Sequence, residues 1–408
     1  MRAKFRVIFG ASSQGLTSLT NFAIIIGVSK TQSPEVVGFW SLGFAIVTLA
    51  TTLGRAAVAT PIVIEGVNNL RRDVGGGVQV AAAFGSLSAL ALLSLALLGG
   101  IPADIALPLA VSAVFAVPQD FMRYAWIARD RPDRALLLDL TWVVALATIG
   151  IALALSGFTP VWAITLAWGG GAAASMLVGL VIQPAALAAP RYAIDFIRVH
   201  RRASIGLAGE SAANAISANA QPFIATATDD VASAGALRVG QTLFAPLTTL
   251  IAALSPVILR ELSIRTRNGS STRPLQWLWA AALTASFVLY TTVIFLIPDS
   301  VGIALVGTLW PAIAALLPAL AAQALIRPAQ SIATLSLRAK KKFRLLLVSS
   351  WVLLAPSLLL PFVFGLAWGV GGVAWGIVAD AILRTAYYSI ANVVTGPPQV
   401  SIRSSEGH

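Results

Sequence analysis

The segment Gly206 to Gln221 reads GLAGESAANAISANAQ, with Glu210, Asn214, Ser217 and Gln221 at positions i, i+4, i+7 and i+11. That spacing puts four polar groups on one face of a helix. A related stripe, Gly10, Gln14, Ser18 and Asn21, lies near the N-terminus. Amide and hydroxyl groups repeated on two otherwise apolar helices predict a water-lined path able to hold a polar solute. Glu210 is the ionisable member of the stripes and suits a proton- or cation-linked switch.

Further charges fall in or just within apolar runs: Arg55, Glu65, Asp120, Arg123, Arg238, Asp380 and Arg384. An uncompensated charge at a bilayer centre costs roughly 2.5–3.5 kcal/mol on insertion scales, so each must snorkel, pair or line water. Asp120 with Arg123 (i, i+3) and Asp380 with Arg384 (i, i+4) have the spacing of ion pairs along their own helices. Arg55, in TTLGRAAVATP, is too deep to snorkel and has no carboxylate one turn away, so it is expected to face an internal cavity. Arg238 is expected near the outer end of its helix, either snorkelling or facing the same cavity. Glu210 is then a switch or a buried partner of Arg55 or Arg238.

Other chemistry is excluded. With no cysteine and only His200 and His408 as histidines, no metal site or cofactor is expected. There is no phosphate-binding G-x-x-x-x-G-K-[ST] loop, and no nucleophile–His–acid set forms around His200. Asp229-Asp230 falls in a short outer connection. No outer connection is long enough for a catalytic domain, so an enzyme is not expected.

The elements that must position these groups follow from composition. Hydrophobic residues make up 57% of the 408 and charged residues 11%, and the mean hydropathy is +0.84. A soluble domain carries roughly 25% charged residues, so the chain is expected to be an all-α polytopic membrane protein. A bilayer core of about 30 Å needs ~20 residues of helix. About twelve such runs are expected: 7–28, 36–64, 78–100, 105–127, 136–156 and 160–182, then 204–226, 235–259, 275–297, 302–326, 345–365 and 370–393.

Alternating connections place most of the 28 Lys and Arg on the side of the N-terminus, Arg327 among them, with Lys30 alone opposite. Basic segments stay cytoplasmic, so both termini are expected there, in a multi-pass protein of the cell membrane. The net charge of +12 then belongs to the membrane surface and not to nucleic acid. Lys340 to Lys342 would each gain roughly 1 kcal/mol from anionic lipid.

Residues 1–183 and 204–394 form two expected six-helix lobes, joined by a basic linker at 184–203 and followed by a cytoplasmic tail at 395–408. PRYAIDFIRVHRR in the linker reads as a short amphipathic helix on the inner surface. Gly10, Gln14 and Asn21 match Gly206, Glu210 and Ser217 at a shift of about 196, and Gly38 and Gly43 match Gly235 and Gly240 at about 197. An even number of helices per lobe makes these parallel repeats. Pro61, Pro118, Pro256 and Pro328 interrupt helices and are hinge candidates. Gly169 to Gly171 and Gly369 to Gly376 predict close helix packing.

With SSQGLTSLTNFAI (Ser12 to Ile24), VVGFWSLGFAIV (Val36 to Val47) and the twelve-helix repeat in view, the chain resembles the polysaccharide transporter (Wzx-type) flippases of the multidrug/oligosaccharidyl-lipid/polysaccharide exporter superfamily. The resemblance implies two lobes around a central cavity that move polyprenyl-diphosphate-linked glycans from the inner to the outer leaflet by alternating access. It implies glycan polymerases or glycosyltransferases as partners. Arg55 and Arg238 lie on helices comparable to those whose arginines line the cavity in lipid II flippases, and would grip the diphosphate. Gln14, Asn21, Asn214, Ser217 and Gln221 would face the glycan. A cation-coupled small-molecule or multidrug exporter of the same fold is the alternative. A membrane-embedded glycan polymerase or ligase is disfavoured by the short outer loops.

Overall fold

The computed structural model describes residues 2–395, with side chains from Ser12 onward apart from Arg202, Ala203, Gly206, Leu207 and Pro256. The tail beyond Thr395, the surroundings of Gly10 and Gly206, and the Pro256 hinge lie outside the described residues. All regular structure among those described is helical.

The first half comprises α1 (Arg2–Thr31), α2 (Pro34–Gly54), α3 (Thr60–Glu65), α4 (Gly77–Leu97), α5 (Ala103–Ala128), α6 (Pro132–Ser156) and α7 (Val161–Ile182). A π-turn at Arg55–Ala59 joins α2 to α3, and another at Leu70–Gly76 leads into α4. The second half comprises α8 (Arg191–Thr228), α9 (Val231–Leu243), α10 (Ala245–Arg267), α11 (Arg273–Phe295), α12 (Asp299–Val306), α13 (Trp310–Ala339), α14 (Phe343–Val352) and α15 (Leu354–Val394).

Nine stretches among the described residues are long and apolar enough to cross a membrane. The longest, Phe343–Val394, is broken at Trp368 and Gly369, where Gly369 takes φ +60°, and so comprises more than one straight rod. The two helices that begin each half, α1 and α8, are not among the nine because they carry the polar stripes. With α1 and α8 the rods run in the expected order along the chain.

The structure corrects three expected boundaries. The linker helix is not separate: α8 runs unbroken from Arg191 to Thr228. Its first turns do not lie free on a surface but pack on the first half. Tyr192 meets Gly76, the Gln79 side chain donates to the Ala188 carbonyl, and buried His200 sits between Glu65 (2.5 Å) and Asp73 (3.4 Å). Second, the rod expected at 235–259 breaks at Phe244, because Pro246 opens α10 and cannot donate to the preceding turn. Third, α13 runs past Arg327 and Pro328 to Ala339. Arg327, assigned from sequence to an inner connection, therefore lies inside a helix.

In a bilayer helices gain little from hydrophobic burial against each other, and small residues let backbones approach instead. Gly38 of α2 lies against the Val231 carbonyl and Gly235 of α9 against the Gly38 nitrogen, so the halves cross in backbone contact at this end. Gly169 abuts Ser112 and Gly171 abuts Trp142, the close packing expected of that run. An extended buried apolar cluster, with Trp40, Phe44, Leu237 and Leu320 in it, spans both halves.

Candidate functional site

Pro61 shapes the first charged cluster. Lacking an N–H, it disrupts the regular i→i−4 ladder before it, and the Thr60 N–H reaches back five residues to the Arg55 carbonyl. Arg55 thus stands at the start of a π-turn, where its guanidinium meets Asp120 of α5 in a fork: Nε to Oδ2 at 3.0 Å and Nη2 to Oδ1 at 2.9 Å. Asp120 also accepts from Arg123 Nη2 at 3.0 Å, the along-helix pair expected from spacing. Arg123 is 1% exposed and does not snorkel. Its Nη1 donates to Thr17 at 2.7 Å and lies 3.9 Å from Asp139 of α6, which accepts from the Ser13 hydroxyl. Both guanidinium groups sit against the Tyr124 ring.

The cluster holds two cations and two carboxylates and closes on itself. Arg55 is therefore not the unpaired cavity charge expected from sequence, since its partner arrives from a helix 65 residues away. One edge stays accessible, its side chain being 33% exposed. Asp139 escaped notice because its partners, Ser13 and Arg123, come from other helices.

The second half is built differently. A polar cavity of about 370 Å³ opens between α8, α10, α13 and α15, and Glu210, Asn214, Ser217 and Gln221 all line it. At its wall Arg384 Nε meets Asp380 Oδ2 at 3.0 Å, Nη1 donates to Asn214 Oδ1 at 2.9 Å and Nη2 donates to Ser357 at 2.5 Å. The expected Asp380–Arg384 pair thus forms and is tied to the stripe. Glu210 accepts from Arg338 Nη2 at 2.6 Å, so its partner is neither Arg55 nor Arg238.

Arg327 lines the same wall beside Gln323 and Gln330, and among the described residues no carboxylate pairs with it. It leaves this cavity with one uncompensated cation. Sequence reading missed it because Arg-Pro at the end of an apolar run looks like a helix stop.

Arg238 does not line the cavity. It is packed between the halves, with Nη2 3.5 Å from the Thr48 hydroxyl, the guanidinium 5.5 Å from the Phe44 ring centroid, and buried Nε without a partner. The N-terminal stripe also behaves differently from its counterpart. Gln14 and Asn21 are half-buried and absent from the cavity wall. Ser18 instead contacts Thr249 of α10 at 2.9 Å, and the Thr48 hydroxyl donates to Asn219 Oδ1 across the same seam at 2.5 Å.

Neither a family model nor a curated protein sequence matches the chain. Solved structures do. An inward-facing multidrug resistance MATE family transporter of the MOP superfamily covers 95% of this chain and 98% of its own, at TM-score 0.68 and 15% identity. The fold is that of the MATE transporters. An outward-facing multidrug resistance MATE transporter matches at TM-score 0.62 and 14% identity, over 95% of this chain and 94% of that one. A MOP superfamily transporter from Pyrococcus furiosus, described as having a binding pocket of reverse polarity that suggests a different function, matches at TM-score 0.62 and 15% identity, covering 95% and 94%. The likeness thus runs over nearly the whole of each MATE-fold chain. The backbone contact of α2 and α9 closes the halves at one end.

Proposed function

We propose that the chain is an alternating-access exporter of small molecules in which the second-half cavity selects against cations. The whole-chain likeness to multidrug MATE structures supports export of small molecules over transfer of a lipid-linked glycan. The observation that carries the charge preference is Arg327. Among the described residues every carboxylate at the cavity wall is engaged by an arginine, whereas Arg327 has no counter-ion. A cationic drug would meet net positive charge there, and an anionic or hydrogen-bonding solute would meet a forked donor. Glu210 carries the coupling in this reading, because its protonation would release Arg338 at the cavity wall. With the basic connections held in the cytoplasm, both termini lie inside.

A second reading is favoured by the same cation: a flippase for polyprenyl-diphosphate-linked oligosaccharides would use Arg327, with the exposed edge of Arg55, on the diphosphate. Reconstituted vesicles separate the two. Efflux of a small anionic dye exceeding that of a cationic rhodamine at least fivefold, and falling with Glu210→Gln, is the result expected for the exporter. Leaflet transfer of a labelled diphosphate-linked oligosaccharide with no dye movement would replace it by the flippase. Preferential efflux of the rhodamine would refute both.

A further inference from the structure

A larger chamber, of about 690 Å³, lies outside the transport cavity where α10, α11 and the ends of α13 and α15 meet. Its wall divides by chemistry. On one side Arg273 opens α11, Lys340 follows α13, and hydroxyls of the Gly269–Thr272 turn lie between. On the other side are Trp277, which is 76% exposed, Ile332 and Val393. Among the described residues no carboxylate lines the chamber. Burial, with the neighbouring charges of Lys342 and Arg273, holds the Lys340 ammonium below the usual lysine range.

Two polar atoms are left over at this wall. Thr266, 8% exposed, has a buried hydroxyl with no hydrogen-bond partner, and the buried Asn392 Oδ1 has none either. Asn392 is otherwise engaged, its amide donating to the Ala333 carbonyl at 2.7 Å. Buried polar atoms are seldom left unpaired, and both residues belong to the chamber lining.

We propose that this chamber binds the phosphate of an anionic phospholipid, with Arg273 and Lys340 on the phosphate, Thr266 and Asn392 on headgroup hydroxyls, and Trp277 against the acyl chains. A phosphate diester supplies the negative charge that two uncompensated cations require. A hydroxylated headgroup supplies the donor that Asn392 Oδ1 lacks. An exposed tryptophan at a helix end is the residue type enriched at the membrane–water boundary. The amphipathic wall distinguishes a lipid from a free phosphate, which would gain nothing from Trp277, Ile332 or Val393.

Native mass spectrometry of the detergent-solubilised full chain, titrated with phosphatidylglycerol, phosphatidylcholine or inorganic phosphate, tests the assignment. Phosphatidylglycerol is expected to bind at least fivefold more tightly than phosphatidylcholine. Arg273→Gln with Lys340→Gln is expected to weaken it at least tenfold, and Arg273→Lys less than threefold. Lys341→Gln with Arg344→Gln removes the same charge from the exposed neighbouring surface and is expected to change binding less than twofold. Equal losses in the two double variants would reduce the effect to surface electrostatics and overturn the site. Displacement of the lipid by millimolar inorganic phosphate would assign the chamber to the free anion and overturn the lipid. Size-exclusion profiles of the variants, with Arg273→Lys as the folded reference, separate lost binding from lost fold.

Discussion

At the scale of single residues, two arginines of one chemical type have opposite prospects. Arg123 is enclosed by Asp120, Asp139 and Thr17, whereas Arg327 faces a polar cavity with no carboxylate partner among the described residues. Removing one partner of a buried pair strands the other charge and costs about 3–5 kcal/mol. Asp120→Asn strands two guanidinium groups, Arg55 and Arg123, and is expected to lower the thermal unfolding midpoint sharply in detergent. Arg327→Met removes a cation that the fold has not compensated. It is expected to raise that midpoint, by on the order of 1 kcal/mol or more in stability, while reducing anion efflux at least tenfold. A residue kept at the expense of stability is the pattern expected of a functional site. A destabilised Arg327→Met protein with normal efflux would make Arg327 structural.

At the scale of elements, contact between α2 and α9 depends on the absence of a side chain at Gly38. A Cβ there would overlap the Val231 carbonyl, and the two backbones cannot give way without separating the helices. Gly38→Val is therefore expected to disfavour the conformation seen here. Cysteines introduced at the Val37–Val231 end should become accessible to a thiol reagent, and transport should fall at least tenfold. Unchanged labelling would mean that the helices close elsewhere. The α8 helix adds a constraint, because its first turns are held by the first half through His200, Glu65 and Asp73 while Asn214 belongs to the second-half cavity. Any relative motion of the halves must bend or carry this helix.

At the scale of the whole molecule, the seam between halves is bridged by short polar contacts. Ser18 and Thr249 approach to 2.9 Å from opposite halves. The chain has no cysteine of its own, so Ser18→Cys with Thr249→Cys forms the sole disulfide available on oxidation. Crosslinking is expected to remove more than nine-tenths of transport in vesicles and reduction to restore it. Full activity in the crosslinked state would show that the halves need not part at this seam.

The sequence by itself determined the membrane class and the order of helical rods, because hydropathy and helix periodicity are local properties of the chain. It also determined that Asp120 pairs with Arg123 and Asp380 with Arg384, since both pairs lie within one turn. The stripe at Glu210, Asn214, Ser217 and Gln221 was legible as one helix face, and that face borders a cavity. Only the tertiary structure decided which charges are free. Arg55 looked unpaired because Asp120 is distant in the chain, and Glu210 lacked a partner until α13 brought Arg338 to it. Arg327 looked like the end of a helix because a proline follows it, yet α13 continues and turns it into the cavity wall. Ion pairing between helices depends on distances that spacing along one helix does not contain, and that is why the residue with the clearest functional prospect emerged only when the helices were packed together.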